Sequence, residues 1–193
     1  MDTREALLEA AVEVFADLGW RGTTTRRIAD RAGVNEVTLF RHFGSKEALI
    51  EAAVASVAGR DLPPRLPVDP SDIRAELIGW SLGMHAHAIR HAKMIRTSLA
   101  EFEEHPGLAP VTCDGAIQAM DDVVRYLTRA RALGLIATEG SLEAATMMLM
   151  NTIVLDGITW DIIPRRVPVT PGEAVGNFVD LILRSLGATR AAE

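Results

Sequence analysis

The chain has 193 residues, 48% of them hydrophobic and 24% charged, with a formal net charge of −6 and one cysteine. That length supports a core without disulfide staples, and Cys113 alone can form neither an internal disulfide nor a paired-cysteine metal knuckle, which favours a reducing, cytoplasmic setting. The opening MDTREALLEA lacks the basic and apolar regions of a signal peptide. The most apolar stretch, residues 144–155, is interrupted by Asn151 and falls short of the roughly 20 residues that span a bilayer, so no membrane partner is expected.

The acidity is unevenly spread. Residues 21–46 hold Arg21, Arg26, Arg27, Arg31, Arg41 and Lys46 against Asp30 and Glu36, a local charge of +4 that leaves −10 for the rest. A compact basic segment on an acidic body suits a small region that meets phosphates; an ordinary solvated helical surface is the alternative.

Nearly every segment reads as helix, with no alternating strand, so an all-α fold of about nine helices is predicted. The first helix runs from Thr3 to Leu18 along a stripe of Leu8, Ala11, Val12, Phe15 and Leu18, and Gly19 stops it. Thr24 or Thr25 caps a second helix that ends near Ala32 and Gly33. A third, behind Asn35, covers residues 36–43, and Ser45 opens a fourth that reaches Ala58. Four prolines within residues 59–71 mark a stiff connector between a domain at 1–58 and a larger one at 72–193. Beyond it helices are predicted over 72–91, 93–104 and 110–133, the last closed by Gly134 with Leu135 placed for a Schellman contact. Ser141 opens a helix to Asp161. Thr170, Pro171 and Glu173 then form a capping box with proline at the first helical position, and the last helix runs to Leu186.

Two short helices joined at a glycine, with a third helix ahead of them, make a helix-turn-helix. Ala29 is small where the pair must cross closely, Gly33 supplies a positive φ in the turn, and Val34 and Leu39 pin the second helix of the pair. The start of that helix is then free to enter a major groove about 12 Å wide.

These residues resemble the TetR family of bacterial transcriptional regulators. The likeness rests on Thr23-Thr24, Ile28-Ala29, Ala32-Gly33-Val34, Thr38-Leu39-Phe40, His42-Phe43, Lys46-Glu47 and Leu49. Phe40 stands where the family usually has tyrosine, so a phosphate-contacting hydroxyl is lost while the aromatic body stays, and Asn35 replaces a serine cap. Residue chemistry and resemblance together give the candidate DNA-binding set: Thr25, Arg26, Asn35, Glu36, Val37, Thr38, Phe40, Arg41, His42 and Lys46. Thr25, His42 and Lys46 suit phosphates, which fix register without reading sequence. Arg41 suits guanine, Glu36 cytosine N4, and Val37 or Thr38 a thymine methyl, with Arg26 near the groove edge. Phe43 reads as core.

A single helix-turn-helix reads few base pairs, so a homodimer on a palindromic double-stranded operator is expected. Apolar periodicity in the last two helices, with the family's dimer pattern, selects Leu142, Ala145, Leu149, Thr152, Val175, Phe178, Val179, Ile182 and Leu186 as the interface. The alternative is that these stripes bury within their own subunit. The resemblance also implies an effector pocket among the middle helices. Trp80, Met84, His87, His91, Phe102, Met120, Val124, Met147 and Met148 are its candidate lining, suited to an apolar or weakly polar small molecule, with plain core as the alternative. His87 and His91 have a metal-ligating spacing but no third ligand, and no metal or cofactor is expected. No nucleophile elbow, phosphate-binding glycine loop or H-E-x-x-H is present, so an enzyme is not expected. The sequence thus points to a dimeric, ligand-responsive regulator, in the sense of a repressor. The alternative is a structural or nucleoid-associated DNA-binding protein with a protein partner and no small-molecule effector.

Overall fold

A computed structural model describes residues 2–137, 140–166 and 168–188. Among them lie nine α-helices and no strand: α1 Thr3–Gly22, α2 Thr25–Ala32, α3 Glu36–Phe43, α4 Lys46–Ala58, α5 Ile73–Arg90, α6 Ala92–Glu101, α7 Leu108–Ala132, α8 Leu142–Thr159 and α9 Pro171–Ser185. The all-α architecture is as predicted. The domain expected over 72–193 extends past the described residues at its end.

Two compact units emerge, Met1–Arg60 with His91–Gly115, and Asp61–Arg90 with Ala116–Glu193. Residues 91–115 therefore group with the N-terminal helices, although the prolines predicted a single division near residues 59–71. The reason is packing: Met94 of α6 and Leu108 at the start of α7 are buried with Phe15, Ile50, Val54 and Val57.

In the first unit, a second cluster joins Leu7, Leu8 and Ala11 of α1 to Ile28 of α2, Leu39 of α3, and Leu49 and Ala53 of α4. Each large aliphatic side chain fully buried there contributes about 1.5–3 kcal/mol. These contacts fix α2 and α3 at a set angle on α1 and α4. The predicted stop at Gly19 is a break inside α1: Gly19 has φ +66°, after which a further turn reaches Gly22. Thr23 is fully buried, and its hydroxyl donates to the Gly19 carbonyl at 2.6 Å, which sets where α2 begins.

The second unit is built around Leu77, Trp80 and Met84 of α5, Val123, Tyr126 and Leu127 of α7, Leu149 and Ile153 of α8, and Val175, Val179 and Leu183 of α9. A Cβ at Gly157 would lie 2.6 Å from Ala88 Cβ, so α8 approaches α5 through a glycine. The Tyr126 hydroxyl, fully enclosed, donates to Glu76 Oε2 at 2.6 Å; burial first, then this carboxylate, pushes the phenol well above its ordinary range. Ser141 opens α8, the capping box at Thr170 and Glu173 opens α9, and the Leu135 amide donates to Ala130 O at 3.0 Å beyond Gly134, as read. α1 differs, since Asp2 precedes it without a side-chain cap and Thr3, the expected cap, is its first residue.

Candidate nucleic-acid interface

α2 starts at the Thr24 cap, whose side chain accepts from the Arg27 amide at 3.2 Å, and ends at Gly33 with φ +68°. The Val34 amide then donates back to Ala29 O at 3.0 Å, closing the turn. α3 follows behind the Asn35 side chain, which accepts from the Val37 amide at 2.9 Å. Asn35 is thus a helix cap at an exposed position. Leu39 is the one fully enclosed residue of α3, and Phe43 packs partly buried against the same core with the Arg4 guanidinium 5.3 Å from its ring. Phe43 is therefore core, as its spacing implies.

The opposite face of α3 is open. Val37 is 73% exposed and Phe40 47%, large apolar surfaces that water covers in the free chain. Arg41 and His42 are also exposed, and among the described residues no acidic side chain pairs with Arg41. The other cations of the segment are not all available. Arg21 is held by both carboxylate oxygens of Glu104, Arg31 pairs with Glu13, Arg27 donates to the Gly22 carbonyl at 2.6 Å, and Arg26 lies 3.9 Å from Asp30. The local +4 thus overstates the charge on offer at the surface, since Glu13 and Glu104 lie outside the segment. Composition by segment could not show this, because the neutralising carboxylates come from α1 and the turn after α6.

Thr25 and Lys46 are half-buried, and each has a partner within the protein. The Thr25 hydroxyl donates to Glu36 Oε2 at 2.8 Å. Lys46 donates to the Trp20 carbonyl at 2.7 Å, with its ammonium 5.1 Å from the indole centroid. Burial pulls the Lys46 pKa below its ordinary value, and the nearby Glu47 and Glu101 pull it partly back.

Trp20, which the sequence reading passed over, is the hub of this corner. Its amide donates to Glu101 Oε1 at 3.0 Å, and its ring stacks on His105 at 3.7 Å between centroids. The Gly19 break makes this possible, because a Cβ there would sit 3.0 Å from Glu101 Oε1. Glu101, Glu104 and His105 bring ligand atoms within 4.8 Å of one another. Glu101 and Glu104 are, however, already engaged by Trp20 and Arg21.

The other predicted site residues are divided between the interior and the surface. Leu142, Ala145, Leu149, Val175, Val179, Ile182 and Leu186 are buried within the single chain, in the core of the second unit. Both helices are apolar on more than one side, and the most regular stripe is the one that packs inward. Of the predicted interface, Thr152 is exposed and Phe178 partly so. The outward apolar residues of the same helices are Met147, Met148 and Leu155 of α8 and Leu181 of α9, each at least half exposed.

The predicted pocket lining is likewise divided. Trp80, Met84 and His87 are buried on α5, while Met120 and Val124 are partly buried on α7. Met147 and Met148 are 52% and 64% exposed, so they line no interior pocket. Phe102 and His91 belong to the first unit, where Phe102 packs beside Phe15 and Ile50. His91 lies outside α5, as the residue preceding α6, so it and His87 do not share one helix. A cavity of about 410 Å³ opens elsewhere, between Trp160, Arg165, Pro168, Val169, Thr170 and Glu173, none of them in the predicted lining.

The fold and this surface define a helix-turn-helix protein with a separate helical body. The family model for bacterial regulatory proteins of the tetR family matches residues 7–53. The chain is 37% identical over 157 residues to the HTH-type transcriptional repressor Rv3405c of Mycobacterium tuberculosis, covering 81% of this chain and 80% of that protein. It is 38% identical over 76 residues to the tetracycline repressor protein class C of Escherichia coli, covering 39% of this chain and 35% of that one. The chain spans about half the length, or less, of several further curated relatives. A crystal structure of a TetR-family regulator from Mesorhizobium loti superposes with a TM-score of 0.78 at 19% identity, over 96% of this chain and 97% of that one, and so shares the fold. This chain belongs to the TetR family. Among the described residues, no helix is long and apolar enough to cross a membrane.

Proposed function

We propose that this protein is a dimeric, ligand-responsive transcriptional repressor that binds a palindromic double-stranded operator through α2 and α3. The observation that carries the reading is the outer face of α3. Val37, Phe40 and Arg41 stand exposed at its start and middle, on a helix whose opposite face is locked to the core by Leu39. Arg41 has the geometry of fork recognition available for guanine, and Val37 for a thymine methyl. His42 flanks this face and suits a phosphate, as do Arg26 and Lys46 once released from Asp30 and the Trp20 carbonyl. The relative Rv3405c bears the name of a repressor, which supports the same reading.

Dimerisation is assigned to the outward faces of α8 and α9. Met148, Thr152 and Leu155 follow one another at helical spacing on α8, and Leu181 with Phe178 gives α9 a matching outer patch. Effector responsiveness draws support from the core of the second unit. The hydroxyls of Ser81 on α5 and Thr146 on α8 are fully buried and have no hydrogen-bond partner among the described residues. An unsatisfied buried hydroxyl costs about 1–3 kcal/mol, which a weakly polar ligand would recover.

Capture of genomic duplex fragments by the purified chain, followed by titration over a range of salt, tests the DNA reading. Enriched fragments sharing an inverted repeat, with affinity falling as salt rises, are expected. Capture no better than for bulk DNA would reject it.

A further inference from the structure

The acidic residue at the head of α3 stands on the face assigned to DNA, where a negative charge opposes binding. Glu36 is half-buried, and its carboxylate has one partner among the described residues, the Thr25 hydroxyl, which donates to Oε2 at 2.8 Å. None of the cations of the basic segment pairs with it among the described residues. Arg21 is with Glu104, Arg31 with Glu13, Arg26 with Asp30, and Arg27 with a carbonyl. A carboxylate held by one hydroxyl and by no ion pair among the described residues does little to strengthen the unit.

Thr25 carries a single hydroxyl proton, which can be given to Glu36 or to a phosphate oxygen but not to both. Resting on the proposed DNA-binding role, we infer that Glu36 is a specificity-determining residue that acts against affinity. In the free protein Thr25 holds the carboxylate. On DNA the Thr25 hydroxyl turns to a phosphate, and Glu36 is released to accept a hydrogen bond from an exocyclic amino group in the major groove, cytosine N4 or adenine N6. Where the sequence offers such a donor, the cost of bringing a carboxylate among phosphates is largely recovered. Where it offers guanine O6 or thymine O4 instead, the carboxylate faces acceptors and phosphates with no donor, and the site is rejected. Glu36 thus lowers affinity for all DNA and lowers it least at the operator.

The experiment compares the full chain with Glu36→Gln, Thr25→Val and the double variant. Each is titrated against the enriched operator, the operator with each major-groove base pair replaced in turn, and a random duplex. Glu36→Gln is expected to bind random duplex about tenfold tighter, the order of removing one like charge close to a phosphate in a partly solvated site. It should gain less on the operator, so that the ratio of specific to non-specific affinity falls and discrimination is lost at one base pair. The two substitutions should be non-additive on DNA, since Thr25 and Glu36 share one proton. Thermal unfolding of the free variants confirms that they are folded, and Glu36→Ala serves as the second variant, with the same expected loss of discrimination. Unchanged ratios in both Glu36 variants, or equal weakening on every duplex, would overturn the inference while leaving the DNA reading intact. A wild-type chain with no preference for any duplex would overturn both.

Discussion

The ammonium of Lys46 and the carbonyl of Trp20 lie 2.7 Å apart, and the same ammonium sits 5.1 Å from the Trp20 ring. Trp20 is in turn held by Glu101 and stacked on His105. The first residue of α4 is therefore placed by a tryptophan that depends on the end of α6. The position from which Lys46 would meet a phosphate, under the proposed function, is one that Trp20 sets.

Trp20→Ala should remove the stacking, the carbonyl's fixed position and part of the core beside it. Burial of a large aromatic is worth about 3–5 kcal/mol when complete. Trp20 is only half-buried, so a loss of about 2 kcal/mol in chemical denaturation is expected, together with weaker operator binding. Lys46→Met, which keeps the stem, should leave stability within about 1 kcal/mol and reduce the salt slope of binding by about one. An unchanged slope would remove Lys46 from the phosphate contacts.

Arg41 and His42 should separate reading from positioning. Arg41→Ala is expected to cost about 1–3 kcal/mol on the operator and to relax preference at one base pair. His42→Ala should weaken all duplexes alike. Titration across single-base operator variants distinguishes the two, and uniform weakening in Arg41→Ala would make it a phosphate contact.

Gly33 has φ +68°, and a Cβ there would meet nothing within 4 Å. The cost of Gly33→Ala is therefore conformational alone, about 1–2 kcal/mol. A larger loss on thermal unfolding would mean that the turn also resists displacement of α3.

The outer and inner faces of α8 should respond differently. Leu155→Glu, at a position 60% exposed, should leave the fold intact and shift sedimentation to the monomer. Leu149→Ala, at a position 1% exposed, should cost about 2–5 kcal/mol of stability. Should Leu155→Glu sediment as the wild type does, the proposed interface is elsewhere.

Stability should fall in acid partly through Glu76. Burial pushes its carboxyl up, but the Ser71 and Tyr126 hydroxyls and the backbone amides of Asp72 and Ser71 outweigh burial and hold it below its ordinary value of 4.5. A carboxyl lowered in the native state contributes stability that is complete above its unfolded value and disappears as pH falls through the native one. Unfolding measured from neutral pH to below 4.5 should therefore show a flatter decline for Glu76→Gln than for the wild type. Parallel curves would contradict the assignment.

Much of the first unit is legible in the sequence because its signals are local. The Asn35 and Ser45 caps, the glycine at residue 33 and the inward Leu39 each act within a few residues of themselves, and each is found as read. What was not legible depends on partners distant in the chain. The Thr25–Glu36 bond, the capture of Arg21 by Glu104 and the Trp20 hub join residues from 11 to 83 positions apart. On α8 and α9 the difficulty was different. The inward stripe of Leu142, Ala145 and Leu149 and the outward one of Met148 and Leu155 are equally apolar, so periodicity cannot say which meets a partner. Methionine content misled in the same way, since Met147 and Met148 are exposed while Met84 and Met150 are buried.

The most direct test of the central claim is amide hydrogen exchange of the full chain with and without its enriched operator duplex. Direct protection is expected to be concentrated within residues 21–46, strongest at the starts of α2 and α3. Broad protection across residues 72–187, with α3 unaffected, would contradict it.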